Sequence, residues 1–142
     1  MKHIRLPLTV ADIAALQAGD EVLLSGPLYT ARDAAHQRLC RCLQEGKPLP
    51  VELAGETIYY VGPSPAKPGE VIGSAGPTTS YRMDPYTPPL LALGLKGMIG
   101  KGRRSAEVVQ AIREHGAVYF ITIGGAAALL AEAVKKKTPV CY

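Results

Sequence analysis

The apolar run Ala117–Ile123 constrains the fold more than any other stretch of the sequence. Its residues, Ala-Val-Tyr-Phe-Ile-Thr-Ile, are almost all apolar and lack the alternation of a half-exposed strand. Such runs are typical of central parallel strands, which are buried on both faces. This run therefore predicts a strand, of the kind that lies at the centre of a parallel sheet in an α/β protein.

Capping residues predict where the helices begin. Asp12 follows Thr9 by three residues, and Asp33 follows Thr30 in the same way. This is capping-box spacing, so one helix is predicted after Thr9, ending at Gly19, and another from Thr30. The other predicted helices are Pro88–Leu95 capped by Thr87, Ala106–His115 capped by Ser105, and Ala126–Val134 after Gly124-Gly125.

Shorter apolar runs predict further strands. The segment Glu21–Pro27 is typical of a buried strand closed by a Gly-Pro turn. The segment Glu52–Gly62 predicts two short strands in a hairpin around Gly55-Glu56. Met98-Ile99 predicts a short strand that leads into a glycine-rich turn.

Composition indicates one globular domain over residues 1–142, with 47% apolar and 20% charged residues. The net charge of +4 suits an anionic partner, but it does not choose between nucleic acid and a small carboxylate or phosphate. No apolar stretch reaches the ~18 residues of a membrane span. The N-terminus lacks the apolar core of a signal peptide, so we expect a cytoplasmic protein without a membrane partner.

The three cysteines do not suggest a disulfide framework, because their number is odd and no secretion signal is present. Cys40 and Cys42 are two residues apart, so on a helix their side chains diverge by roughly 200°. They cannot then chelate one metal together. We interpret them as ordinary small residues.

The segment Gly76–Asp84, Gly-Pro-Thr-Thr-Ser-Tyr-Arg-Met-Asp, concentrates hydroxyls, a guanidinium and a carboxylate in a short stretch. Pro77 fixes the backbone torsion φ and predicts a turn or extended chain rather than a helix. Arg82 can receive a carboxylate or phosphate through a two-pronged hydrogen bond. A capped turn without a ligand is an equally open interpretation.

Two other junctions between a strand and a helix carry polar side chains. On a helix, Arg32, Asp33 and His36 lie on neighbouring positions, where they form either a ligand site or ordinary exposed pairs. Lys101 lies between two glycines in Gly100–Arg104, which form either an anion site or a tight turn with solvated bases.

These three junctions converge on one edge if the sheet is parallel. Arg32, Arg82 and Lys101 would then form a cationic pocket for a small dianion, with Thr78 and His36 available for proton transfer. The sequence offers no metal-ligand set and no defensible Ser-His-Asp order.

The sequence resembles the β subunit, or equivalent C-terminal domain, of the iron–sulfur-dependent class I fumarases and L-tartrate dehydratases. The matching pieces occur in the family's order and cover most of the chain. They are Arg32–His36, Gly76–Asp84, Gly100–Gly102 and Gly124–Ala127.

This resemblance implies an α/β fold: a three-layer, swivelling β/β/α domain with a mostly parallel central sheet. Such a domain supplies half of a hydro-lyase site. A partner α subunit would bind a 4Fe-4S cluster through its own cysteines, and no metal ligand would come from this chain. Relatives continue for several elements past Cys141, so the resemblance implies either a domain that is short at its C-terminus or a missing piece that comes from elsewhere.

The family pattern also implies roles for single residues. Arg32, Arg82 and Lys101 hold the dicarboxylate, with Thr79 and Asp33 in the same binding set. Thr78 is the base, activated by a carboxylate of the partner, or a hydrogen-bonding group. His36 transfers protons or orients its neighbours.

Three short sequences resemble fumarase members more than tartrate members. They are Asp84 after Met83, Arg103-Arg104-Ser105 after Gly102, and the three alanines after Gly125. The first expectation is therefore reversible hydration of fumarate to (S)-malate, with L-tartrate dehydration as the alternative. A stand-alone anion-binding or regulatory module is a hypothesis of another class. Nucleic-acid binding through Lys101–Arg104 and Lys135–Lys137 ranks last, because no reading motif accompanies these bases.

Overall fold

A computed structural model describes residues 2–61, 68 and 78–122 of the chain. The chain begins with strand β1 (Lys2–Arg5), helix α1 (Val10–Ala15) and strand β2 (Val22–Ser25). The two strands pair in parallel and form a small sheet. The predicted Thr9 capping box is confirmed, but α1 ends at Ala15, well before Gly19.

Strand β2 is not buried as predicted. Its residues alternate between half-buried and exposed, because one face of the small sheet is open. Leu23, for example, is 52% exposed. Strand β1 has no counterpart in the sequence-based prediction.

The main sheet has four parallel strands in chain order, which confirms the α/β prediction. They are β3 (Tyr29–Thr30), β4 (Thr57–Tyr59), β5 (Gly97–Gly100) and β6 (Val118–Ile121). The strand predicted over Ala117–Ile123 is therefore confirmed as β6. It is half-buried, because it lies at the edge of the sheet that the described strands form.

The predicted hairpin over Glu52–Gly62 is wrong. Among the described residues of this segment, 52–61, only β4 is a strand, and it pairs in parallel with β3 and β5. Gly55 has a φ of 80° and donates its N–H to the carbonyl oxygen of Gly94, so it makes a turn against a distant segment.

Helix α2 (Asp33–Gln44) follows β3, and its predicted cap is wrong. Its first helical residue is Asp33, and Arg32 occupies the N-cap without a side-chain hydrogen bond. Thr30 instead belongs to β3, where it pairs with Tyr59. The backbone of Thr30 is therefore committed to the sheet.

The segment Ser80–Tyr86 is a 3₁₀ helix, so the prediction of a turn or extended chain is wrong from Ser80 onward. It runs directly into α3 (Thr87–Ala92). Thr87 does not cap α3, because its hydroxyl donates to the carbonyl oxygen of Met83 at 2.8 Å.

Helix α4 (Ala106–His115) agrees with the prediction in both bounds and cap. The hydroxyl of Ser105 accepts the N–H of Val108 at 3.2 Å. Gly116, with a φ of 62°, ends the helix in the left-handed conformation.

Two apolar cores cover the two faces of the main sheet. On one face, residues of α2, α3 and α4 pack against β4, β5 and Tyr119 of β6. On the other face, Val118 and Phe120 pack against Ile4, Leu6 and Leu8 from the β1 region. The alternation along β6 thus separates a helical layer from the small sheet, which agrees with a β/β/α arrangement.

The predicted helix Ala126–Val134 and its diglycine, together with Lys135–Lys137 and Cys141, lie outside the described residues. So do Gly76 and Pro77. Within the described part, no helix is long and apolar enough to cross a membrane.

Candidate active site

The carboxyl end of β4 positions the segment that begins at Thr78. Tyr60, just past β4, accepts the N–H of Thr78 at 2.6 Å through its carbonyl oxygen. Thr79 then forms a parallel bridge with Lys101, and the Ser80 N–H donates to the Lys101 carbonyl at 2.9 Å. The segments Thr78–Asp84 and Gly100–Arg104 are therefore adjacent at one edge of the sheet.

An ion pair joins the third segment to these two. The Arg82 guanidinium donates to the Asp33 carboxylate at 2.5 Å, across 49 residues of sequence. Their side chains are 52% and 40% exposed, so the pair adds at most about 1 kcal/mol to stability. Its consequence is mainly geometric, because it fixes the first turn of α2 beside the 3₁₀ helix.

His36 is fully buried, so its interpretation as part of a solvent-exposed pair is wrong. Its Nδ1 lies 2.8 Å from the carbonyl oxygen of Arg32, which can only accept, so Nδ1 carries the proton. Nε2 then presents a lone pair, and it has no hydrogen-bond partner among the described residues.

The surroundings of His36 favour the neutral imidazole. Burial is the main cause that lowers its pKa, and the nearby charge of Arg104 lowers it further. The hydrogen bond to Arg32 and the charge of Asp33 act in the opposite direction. The ring also packs edge-on against Tyr60, with 5.4 Å between the ring centroids.

The remaining predicted site residues lie at the same edge, with different exposure. Arg32 is exposed at the start of α2, whereas Thr78, Thr79 and Lys101 are half-buried. The backbone contacts place Lys101 beside Thr79. The cationic pocket formed by Arg32, Arg82 and Lys101 stays a prediction.

Sequence reasoning missed Arg104, because Arg103 and Arg104 were interpreted together as solvated bases. Arg103 is exposed, but the Arg104 side chain is only 2% exposed and pairs with Asp84 at 2.7 Å. The sequence did contain a signal for a buried polar partner. Tyr60 and Tyr119 lie in apolar runs, and buried tyrosine hydroxyls usually need a hydrogen-bond partner.

The described residues do not fit an iron–sulfur cluster. They contain no group of three or more His, Cys, Asp or Glu side chains able to hold a metal ion. Cys40 and Cys42 are half-buried on α2, two positions apart as predicted. Burial raises the pKa of Cys40, which disfavours the thiolate that a metal ligand must supply.

The fold and this edge define a class of protein: an α/β domain whose polar side chains gather where parallel strands end. The chain belongs to the fumarase C-terminus family, whose sequence profile matches residues 1–142. The family that the motifs resemble is thereby confirmed.

Relatives of two kinds align with the chain. A Methanocaldococcus jannaschii protein with the provisional name L(+)-tartrate dehydratase subunit beta is 39% identical over 145 residues, covering 100% of this chain and 74% of the relative. Fumarate hydratase 2 of Leishmania major is 39% identical over 92% of this chain. The aerobic class I fumarate hydratase of Escherichia coli is 38% identical over 87%. The chain spans only 23% of each of these two enzymes.

Proposed function

We propose that this chain is the β subunit of a hydro-lyase that reversibly hydrates fumarate to (S)-malate. One observation carries the proposal: the three polar segments meet at one edge of the parallel sheet through the Asp33–Arg82 pair and the Thr79–Lys101 bridge. Family membership adds the reaction class, since relatives named fumarate hydratase align with most of the chain.

Arg82 is the clamp for one substrate carboxylate in this proposal. A guanidinium has five N–H donors in a planar fork, and Asp33 takes one of them here. Because half of the Arg82 side chain is exposed, its other donors are open to a second carboxylate. Arg32 and Lys101 supply the further positive charge that a dianion needs.

Asp33 serves this site by orienting Arg82. Its negative charge would repel a dicarboxylate in direct contact, whereas its bond to Arg82 fixes the direction of the guanidinium. His36 has an equivalent supporting role. It is buried and holds the Arg32 carbonyl, so it fixes the chain that presents the Arg32 side chain.

Thr78 is the candidate for proton transfer at the substrate carbon. Thr78 is half-buried, and its N–H donates to the Tyr60 carbonyl oxygen. This hydrogen bond fixes the backbone position from which the hydroxyl extends at the edge of the sheet. A threonine hydroxyl is a weak base and needs activation, which we assign to a carboxylate of the partner subunit. Without that activation, Thr78 and Thr79 would bind the substrate through hydrogen bonds.

We assign the 4Fe-4S cluster to a partner α subunit, because the described residues lack a ligand set for it. The cluster would supply a Lewis acid at the substrate hydroxyl. This chain would bind the carboxylates, orient the substrate and handle the proton. A cytoplasmic location, without membrane or nucleic-acid partners, is part of the same proposal.

L-tartrate dehydration is the second candidate, because the relative named as a tartrate dehydratase subunit aligns over the whole chain. The two substrates have the same carbon skeleton and differ in hydroxylation. Identities of 38–39% to relatives of both kinds do not separate them.

The test is to co-produce the chain with its cluster-bearing α subunit, reconstitute the complex under anaerobic conditions, and assay both substrates. We expect kcat/KM for fumarate to exceed that for L-tartrate by about tenfold or more. A reversed preference would support the tartrate alternative. If the complex turns over neither substrate and the isolated chain binds a dicarboxylate, the proposal of an enzyme subunit would be contradicted. That result would favour a stand-alone binding module.

A further inference from the structure

We infer that Arg104 is a positioning residue, which holds the segment Thr78–Asp84 in place from the interior of the domain. The inference rests on the proposed function, because that segment carries Thr78 and Arg82. No exposed part of Arg104 is available for substrate, since its side chain is 2% exposed.

Three directed hydrogen bonds hold the guanidinium. Nε donates to Asp84 Oδ1 at 2.7 Å, one terminal nitrogen donates to Thr87 Oγ1 at 2.9 Å, and the other donates to the Tyr60 hydroxyl at 3.1 Å. These acceptors lie at the end of the 3₁₀ helix, at the start of α3 and just past β4. A single side chain thus links three elements.

Two aromatic rings also lie close to the guanidinium. The central carbon of Arg104 lies 5.1 Å from the centroid of the Tyr60 ring and 4.9 Å from that of Tyr119. Both distances allow a cation–π attraction, which is stronger where water is excluded. The hydrogen bonds and the two rings together restrict the movement of the Arg104 guanidinium.

The same network reaches both ends of the site segment. Asp84 accepts Arg104 through Oδ1 and the Ser105 N–H through Oδ2 at 2.7 Å, which ties the segment's end to α4. At the other end, the Tyr119 hydroxyl lies 2.8 Å from the Gly102 carbonyl and 2.6 Å from Ser80 Oγ. The carbonyl can only accept, so Tyr119 donates to Gly102 and the Ser80 hydroxyl donates to Tyr119.

Tyr60 connects this network to Thr78 and His36. Its hydroxyl accepts from Arg104, its carbonyl accepts the Thr78 N–H, and its ring packs on His36. A shift of Arg104 would therefore displace Thr78 through Tyr60, and Arg82 through Asp84. A displacement of about 1 Å is enough to cost roughly 100-fold in rate.

The first experiment measures amide hydrogen exchange in the full chain for Arg104→Lys and Asp84→Asn, with Arg103→Lys as the control. Lysine keeps the charge but cannot make the three directed bonds. We expect exchange at Thr78, Ser80 and Ser105 to accelerate about tenfold or more in both test variants, while exchange at Ile58 and Met98 and in Arg103→Lys stays as in the wild type. Unchanged exchange at the segment, or an equal acceleration throughout the chain, would overturn the inference.

The second experiment measures steady-state kinetics of the reconstituted complex with the same variants and the double variant. We expect a fall in kcat of about tenfold or more for each single variant and a double variant no worse than the poorer single one, because both changes break one contact. Equal kcat in Arg104→Lys and wild type would overturn the inference. An inactive wild-type complex would instead contradict the proposed function, and the exchange experiment would still decide the role of Arg104.

Discussion

His36 lies without exposed surface beneath the polar edge of the sheet, and its position determines its protonation state. Bulk water, which would stabilise the imidazolium, is absent around the ring, and the charge of Arg104 is repulsive to it. The Nδ1 proton is committed to Arg32. At neutral pH the ring is therefore a neutral acceptor at Nε2, directed by its neighbours.

This lowered pKa predicts a loss of stability in mild acid. The unfolded chain binds a proton on His36 at about pH 6.5, whereas the folded chain does so only at lower pH. As the pH falls below about 6.5, the free energy of unfolding therefore decreases, by up to about 1.4 kcal/mol per pH unit, until the pKa of the folded chain is reached. Denaturant titrations between about pH 5 and 7 measure this slope.

The control is His36→Asn, whose amide can donate to the Arg32 carbonyl but does not titrate. Its unfolding free energy should change less with pH in the same window than that of the wild type. Identical slopes in the two proteins would show that His36 titrates normally in the folded chain.

At the scale of elements, β5 approaches its neighbours so closely that only glycine fits at its two ends. A Cβ at Gly100 would overlap Ser80 Oγ and lie 2.8 Å from the Tyr60 ring. A Cβ at Gly97, at the other end of the strand, would overlap Thr57 Oγ1. Gly100 thus borders the candidate site, and Gly97 borders the core.

Gly100→Ala and Gly97→Ala form a matched pair of variants. We expect each to lower the unfolding free energy by about 1–3 kcal/mol, because overpacking moves rigid neighbours. Only Gly100→Ala should lower kcat in the reconstituted complex, since only Gly100 contacts the Thr78–Asp84 segment. Equal kcat values in the two variants would show that this packing does not position the site.

Local signals in the sequence predicted some elements well. The strand at Met98-Ile99, the Ser105 cap and helix α4 depend on residues close together in the chain, and all three are confirmed. The hairpin failed because β4 pairs with distant parallel strands rather than with its own neighbour.

The sequence identified the segments of the candidate site but not the contacts between them. The motifs named Arg32, Asp33, Thr78, Arg82 and Lys101, and the parallel sheet explains why their segments meet. The Asp33–Arg82 pair, however, joins residues 49 positions apart. The three oxygen atoms that accept from Arg104 belong to residues 17 to 44 positions away, which no local pattern reveals.

At the scale of the whole molecule, the α/β fold gives a division of labour between the faces and the edge of the sheet. Helices α2, α3 and α4 cover one face, the small sheet packs against the other, and polar groups gather at the carboxyl edge. In the proposed function, residues at that edge bind the substrate carboxylates and handle the proton. A Lewis acid on the partner, as proposed above, would make the complete site dependent on both subunits.

The most direct test of this account is kcat/KM for fumarate in the reconstituted complex with Arg82→Ala, compared with Arg113→Ala. Arg113 is an exposed arginine in the last turn of α4. Arg113→Ala therefore removes the same side chain and the same charge as Arg82→Ala, but away from the candidate site. We expect Arg82→Ala to lower kcat/KM about 100-fold or more, because a clamp on the substrate's charge is lost. The control should stay within about twofold of the wild type. A value for Arg82→Ala within the same range as the control would contradict the central claim that this edge binds the dicarboxylate.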